Sequence, residues 1–156
     1  MDAPTALEVR ELHRSLIDLV ALLNQPQRDS VLLREAGVRI DRALFPLLIA
    51  IEARGPIGVV DLGELVGRDY TTICRQVPKL ERRGLIRRRP SASDGRIQES
   101  LITPRGRRIT KAIAAARERM AADLFRSWSR RDLRDLSRLM RRFANDFAAL
   151  PLPSRR

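Results

Sequence analysis

Residues 61–103 read DLGELVGRDYTTICRQVPKLERRGLIRRRPSASDGRIQESLIT, and the order of signals along this stretch decides the fold. Leu62, Leu65 and Val66 recur at i, i+3 and i+4, the spacing of one helix face, and Gly67 follows as a stop where a left-handed cap costs nothing. After the turn Gly67-Arg68-Asp69, the Asp69 carboxylate can cap a second helix in which Ile73, Val77 and Leu80 share the inward face. The outward face carries Thr71, Thr72, Arg75, Gln76, Lys79 and Arg83, whose hydroxyl, amide and cationic groups can donate to phosphates or base edges. Gly84 ends that helix. Residues 85–89 and 97–103 flank the loop Pro90-Ser91-Ala92-Ser93-Asp94-Gly95-Arg96, whose Asp-Gly pair is a strong turn signal, and Arg87, Arg88 and Arg89 make the hairpin basic. Helix, tight turn, helix and hairpin in this order predict a winged helix-turn-helix.

These residues resemble the multiple-antibiotic-resistance regulator (MarR) family of winged-helix transcription factors. The resemblance rests on the ordered set Asp61-Leu62-Gly63-Glu64-Leu65, Thr72-Ile73-Cys74-Arg75, Leu80-Glu81-Arg82-Arg83-Gly84-Leu85-Ile86-Arg87, Asp94-Gly95-Arg96 and Leu101-Ile102-Thr103-Pro104-Arg105-Gly106. Two positions depart from the family pattern. Cys74 stands where the family usually has Ser or Thr, and Pro78 interrupts what is usually continuous helix. Pro78 removes a backbone donor and crowds the Cys74 carbonyl, so a kink or a nearby helix boundary is expected.

The resemblance implies a mainly α fold with a small β-hairpin wing and with N- and C-terminal dimerisation helices. It implies a single MarR-like domain over residues 1–156, its DNA-binding part at 38–103 and its dimerisation helices at 5–24 and 104–150. It further implies a homodimeric repressor that leaves a near-palindromic double-stranded operator when a small-molecule effector lodges between the dimerisation helices and the reading head. Arg96 is expected to enter the minor groove while Asp94 holds the loop, and with Arg88 they join the outward residues of the second helix as the expected DNA contacts.

Composition agrees with this reading. At 44% hydrophobic and 32% charged over 156 residues, the chain can bury a real core. A net charge of +12 favours a polyanionic partner, nucleic acid before anionic membrane. Its distribution matters more than its sum. Residues 68–96 hold nine basic and three acidic side chains, whereas residues 1–67 hold seven basic and ten acidic, so positive potential gathers on the reading head. Residues 104–150 carry thirteen basic against five acidic, which reads first as a solvated arginine-rich helix face and second as contact with flanking DNA.

Two apolar seams lie at the ends of the chain. Val9, Leu12, Leu16, Leu19 and Leu23 alternate steps of three and four before Pro26, and Leu133, Leu136, Met140, Phe143, Phe147 and Leu150 do so again. Two such stripes exceed what one small reading head can cover, so mutual burial in a two-fold dimer is expected; pairing of the two end helices within a monomer is the alternative. Between the seams, residues 28–36 read as a short helix stopped by Gly37. Asp41 reads as the N-cap of an apolar helix through Arg54, and residues 57–60 as a short strand or entry segment. Thr103-Pro104 opens a helix to about Ser127. Ser129, with Asp132 three residues on, caps the last helix, and residues 151–156 are expected to be a disordered tail.

Catalysis is not expected. One His and one Cys leave almost nothing for a metal site or a Cys-His nucleophilic pair, no glycine-rich phosphate loop follows a strand, and no cofactor is implied. His13, beside the first seam, reads as a surface or interface side chain rather than an effector ligand. Cys74 has two readings: a redox switch next to the reading face, or a small side chain packed toward the preceding helix, the second being favoured because the sequence establishes neither exposure nor a lowered thiol pKa. The N-terminus lacks a charged segment followed by an unbroken apolar run, and the longest apolar stretch, residues 43–51, is far short of the roughly 20 residues of a spanning helix. A cytoplasmic protein is expected. Two other classes stay open, a non-specific nucleic-acid-coating or architectural protein and a winged-helix protein-interaction module without DNA.

Overall fold

A computed structural model describes residues 5–151, which divide into a larger compact unit ending at Arg117 and a smaller one beginning at Glu118. The larger holds α1 (Ala6–Leu23), α2 (Pro26–Glu35), α3 (Phe45–Arg54), α4 (Val59–Val66), α5 (Tyr70–Arg82), β1 (Ile86–Pro90), β2 (Gln98–Ile102) and the start of α6 (Pro104–Leu124). The smaller holds the last turns of α6 and α7 (Arg130–Ala148). The mainly α architecture with one antiparallel hairpin is the fold the sequence predicts.

The core of the larger unit is built by α3, which buries Phe45, Leu47, Leu48, Ala50 and Ile51 against Leu62 of α4, Ile73, Val77 and Leu80 of α5, and Ile113 of α6. Leu47, Leu48, Leu62, Ile73, Leu80 and Ile113 are wholly shielded from solvent. Each such aliphatic side chain contributes roughly 1.5–3 kcal/mol on burial, so this cluster dominates the stability of the reading head. The predicted inward face of α5 is therefore the buried one.

Asp41 does not cap α3. Its Oδ1 accepts from the Ala43 N–H at 2.8 Å in a local turn, and the helix begins at Phe45. Pro46 is the reason. A helix begun at Arg42 would need an N–H from residue 46 and would drive the proline ring into the Arg42 carbonyl, so the proline is tolerated only in the first turn. Helix α2 starts at its own proline, Pro26, two residues earlier than expected. The expected entry segment reduces to one antiparallel bridge between Ile57 and Ser100, and α4 is already helical at Val59.

Pro78 lies inside α5, which continues to Arg82 without a boundary at the proline. Helix α6 ends at Leu124, short of Ser127, and the Phe125 and Trp128 rings meet edge to face at 5.3 Å in the turn that follows. The Ser129–Asp132 capping box opens α7 as expected. Neither α1 nor α7 contains a buried residue. The expected disordered tail lies, from residue 152 on, outside the described residues. Among those described, no helix is long and apolar enough to cross a membrane.

Candidate nucleic-acid interface

Helix α4 ends on Gly67, whose φ of +65° lies in the left-handed region, and the Arg68 N–H closes the turn on the Gly63 carbonyl at 2.9 Å. A Cβ on Gly63 would lie 2.9 Å from the Arg68 carbonyl oxygen, so the close approach of the turn to α4 needs glycine there. Asp69 then caps α5. Its Oδ2 accepts from the Thr72 hydroxyl at 2.6 Å and its Oδ1 from the Thr72 N–H at 2.8 Å. These two bonds hold the Asp69 carboxyl below its ordinary value of 3.8.

At the far end of α5 the Leu85 N–H bonds the Leu80 carbonyl at 3.0 Å and the Gly84 N–H bonds the Glu81 carbonyl at 2.7 Å. Both ends of the helix are thereby fixed before any ligand arrives.

The expected contact residues do not all stand alike. Thr71, Arg75 and Lys79 are exposed on the outer face, and no ion pair joins Arg75 or Lys79 to an acid among the described residues. Thr72 is spent on the cap. Gln76 is half-buried, and its Oε1 accepts from Arg68 Nη1 at 2.9 Å. Arg83 lies past the C-terminal end of α5, about 18 Å from Thr71 at roughly 1.5 Å per residue, while such helices read bases with their N-terminal residues. It lines an open groove with Arg39, Arg82, Arg105, Leu85 and Ile109 instead. Cys74 is half-buried, between its two sequence readings, and its side chain, hydrogen-bonding with Tyr70 one turn earlier, pushes the Tyr70 phenol above its ordinary value.

The wing pairs Ile86 with Ile102, Arg88 with Ser100 and Pro90 with Gln98. Strand alternation puts Arg88 on the side of the buried Ile86, toward α5, where it lies 3.9 Å from Glu81. Arg89 is 3.7 Å from Glu99, and Arg87 is exposed. At the tip, Arg96 Nε and Nη2 each donate to the Asp94 carboxylate at 3.1 Å, which holds that carboxyl below its ordinary value. Arg88 and Arg96 come together with Tyr70 around one groove of about 540 Å³ between the start of α4, the start of α5 and the wing. Tyr70 in this groove and Arg68 in the turn before α5 are the residues that sequence reasoning passed over. Tyr70 precedes the first residue of the polar outer stripe, and Arg68 acts through a contact that no periodicity reports. Among the described residues no group of three or more His, Cys, Asp or Glu is arranged to hold a metal ion.

A capped reading helix with cationic side chains on its outer face, next to a basic two-stranded wing, defines the class: a winged helix-turn-helix DNA-binding protein. The model of the MarR family matches residues 40–97. A Bacillus subtilis (strain 168) protein described as the uncharacterized HTH-type transcriptional regulator YxaD is 30% identical over 108 residues, 69% of this chain and 76% of that relative. A MarR family protein from Bacillus stearothermophilus superposes with a TM-score of 0.79 at 23% identity, over 94% of this chain and 99% of that one. The crystal structure of MarR superposes with a TM-score of 0.70 at 26% identity, over 86% and 98% of the two chains. The chain belongs to the MarR family of DNA-binding transcriptional regulators.

Proposed function

We propose that the chain is a homodimeric cytoplasmic repressor, that it reads a near-palindromic duplex operator, and that a small-molecule effector releases it. The observation that carries this reading is the outer face of α5, where Arg75 and Lys79 stand exposed and form no ion pair among the described residues, on a helix capped at both ends. Exposed cations along the outer face of such a helix, Arg75 nearer its N-terminal end and Lys79 in its last turn, suit base edges and phosphates together. The dimer part draws on a second feature, the apolar stripes of α1 and α7, which include Leu12, Leu19, Leu136, Met140, Phe143 and Phe147 among the exposed side chains, with Leu16 half-exposed. Three of the six arginines of α7 lean on acids of their own helix, Arg131 and Arg138 on Asp135 and Arg142 on Asp146, as on a solvated helix face, which favours this reading over an architectural coat.

The test is recovery of bound fragments from the organism's own DNA, followed by titration of a recovered fragment and of random duplex over a range of salt. A regulator keeps its own site at salt that abolishes random binding. Equal affinity for both duplexes at every salt concentration would refute it.

A further inference from the structure

Arg68 Nη1 donates to Gln76 Oε1 at 2.9 Å and to the Ala43 carbonyl at 2.8 Å, while the Arg68 backbone N–H is bonded to Gly63. The arginine is held at its backbone by the α4–α5 turn and at its guanidinium by the segment before α3. Its guanidinium has donors and no acceptor, so the Gln76 amide can meet it only with its oxygen. The orientation of that amide is chemically forced. With Oε1 engaged by Arg68 on one lone pair, the wholly unengaged part of the Gln76 amide is Nε2 and its two hydrogens.

That matters for reading. A glutamine recognises adenine by accepting from N6 and donating to N7 together, which needs oxygen and nitrogen side by side at the base edge. With that oxygen turned back to Arg68, the amide meets a base mainly through its Nε2 donors, which find two acceptors, O6 and N7, on guanine and O4 on thymine, but on adenine only N7 beside the opposing N6 donors. We propose that Arg68 is a positioning residue that sets the base preference of Gln76 by holding its amide as a donor, so that the position it reads takes guanine or thymine rather than adenine. This rests on the reading of the chain as a sequence-specific operator-binding protein with Gln76 at the DNA face.

The experiment is selection of preferred sites from a random duplex pool with the full chain and four variants. For the native protein, one position in each half-site should prefer guanine or thymine, and Gln76→Leu should erase the preference there alone. Arg68→Ala frees the amide oxygen and should raise adenine at that same position on the order of tenfold relative to the native protein. Arg68→Lys keeps a cationic donor but lacks the planar guanidinium that sets Nη1 between the two acceptors, and it should fall between them. Gln76→Glu keeps an acceptor for Arg68 and removes the donors, so it should fold as well as the native chain by thermal melting and still lose the preference. This variant covers the case in which Arg68→Ala fails to fold through loss of the Ala43 contact.

If Arg68→Ala weakens binding to all sites equally with base preferences unchanged, Arg68 only braces the loop and the proposal falls. Retention of the preference by Gln76→Glu also overturns it. If Gln76→Leu leaves every position unchanged, Gln76 does not face DNA, and that reading falls together with the proposal built on it.

Discussion

Arg96 and Asp94 face each other across the tip of the wing in a two-pronged contact, 3.1 Å on each prong, with the Arg96 N–H also bonded to Asp94 Oδ1 at 3.0 Å. The Arg96 side chain is nonetheless 91% exposed. So open an ion pair adds little to folding and mainly aims the guanidinium outward. The family resemblance implies that Arg96 enters the minor groove, where an arginine senses groove width and potential more than base identity, so Arg96→Ala should weaken operator binding, lower the salt slope of log K by about 0.9 and spare the preferred major-groove bases. Arg75→Ala should instead relax specificity at one position per half-site, by about 1–3 kcal/mol of discrimination. Site selection and salt titration with both variants decide this: a broadened site from Arg96→Ala and an unchanged one from Arg75→Ala would reverse the two roles.

Asp69 links the reading helix to pH. Its folded pKa is depressed below the ordinary 3.8 because Thr72 donates to the charged form through hydroxyl and N–H. A depressed carboxylate stabilises the fold at all pH above its unfolded value, and that contribution disappears as pH falls through the folded value. Asp69→Asn keeps a capping oxygen but never carries the charge. The native chain should therefore melt at a higher temperature than Asp69→Asn near neutral pH, and the gap should close below pH 3.8. A gap that stays constant through the acid range would show that the charge contributes nothing.

Much of the reading head was legible because its signals are local. Gly67, Asp69 and the spacing of Ile73, Val77 and Leu80 each act within one or two turns, and each does in the fold what its spacing implies. Asp41 misled because a capping side chain was weighed without Pro46, whose missing N–H lies one turn further on. The site was less legible than the fold. Residue type and helical phase put Gln76 and Arg83 on the outer face, but neither reports that Arg68 takes the amide oxygen of Gln76 or that Arg83 lies past the end of α5 beside Arg39 and Arg105. Contacts between residues 68 and 76, or 68 and 43, depend on how two helices and a loop meet, and no pattern in one segment encodes them.

Gly106 should resist enlargement. A Cβ there would press on the Leu85 carbonyl oxygen and lie 2.9 Å from Ile102 Cγ1, where the first turn of α6 meets the entry to the wing. Alanine ordinarily favours a helix over glycine by up to about 1 kcal/mol. The obstacle here is backbone and cannot swing aside, so the overpacking cost, about 1–3 kcal/mol or more, wins. Gly106→Ala should lower the melting temperature by several degrees, at roughly 2–4 °C per kcal/mol for a chain of this size. Gly95→Ala, where an added Cβ meets nothing within 4 Å, is the control. A Gly106→Ala chain as stable as the native one would mean that the wing and α6 can move apart freely.

The stripe on α7 gives the sharpest test of the dimer, because no residue of α7 is buried in the described chain. A substitution there leaves the core of α3, α4 and α5 untouched, so its effect reads association rather than folding. Leu136 and Phe143 are each 38% exposed on the apolar side, and Phe143 stacks on Phe147 with ring centroids 6.0 Å apart. Heptad spacing of such side chains suits burial against a second helix, and a two-fold axis would repeat each contact. Leu136→Glu or Phe143→Glu would bury an unpaired carboxylate twice per dimer, at a cost of about 3 kcal/mol or more, which is over about a hundredfold in dissociation constant. Sedimentation over a range of concentrations should find monomer where the native chain is dimeric, and operator affinity should drop because two half-sites are no longer held together. Were either variant to stay dimeric with unchanged operator affinity, α7 would not be where the subunits meet.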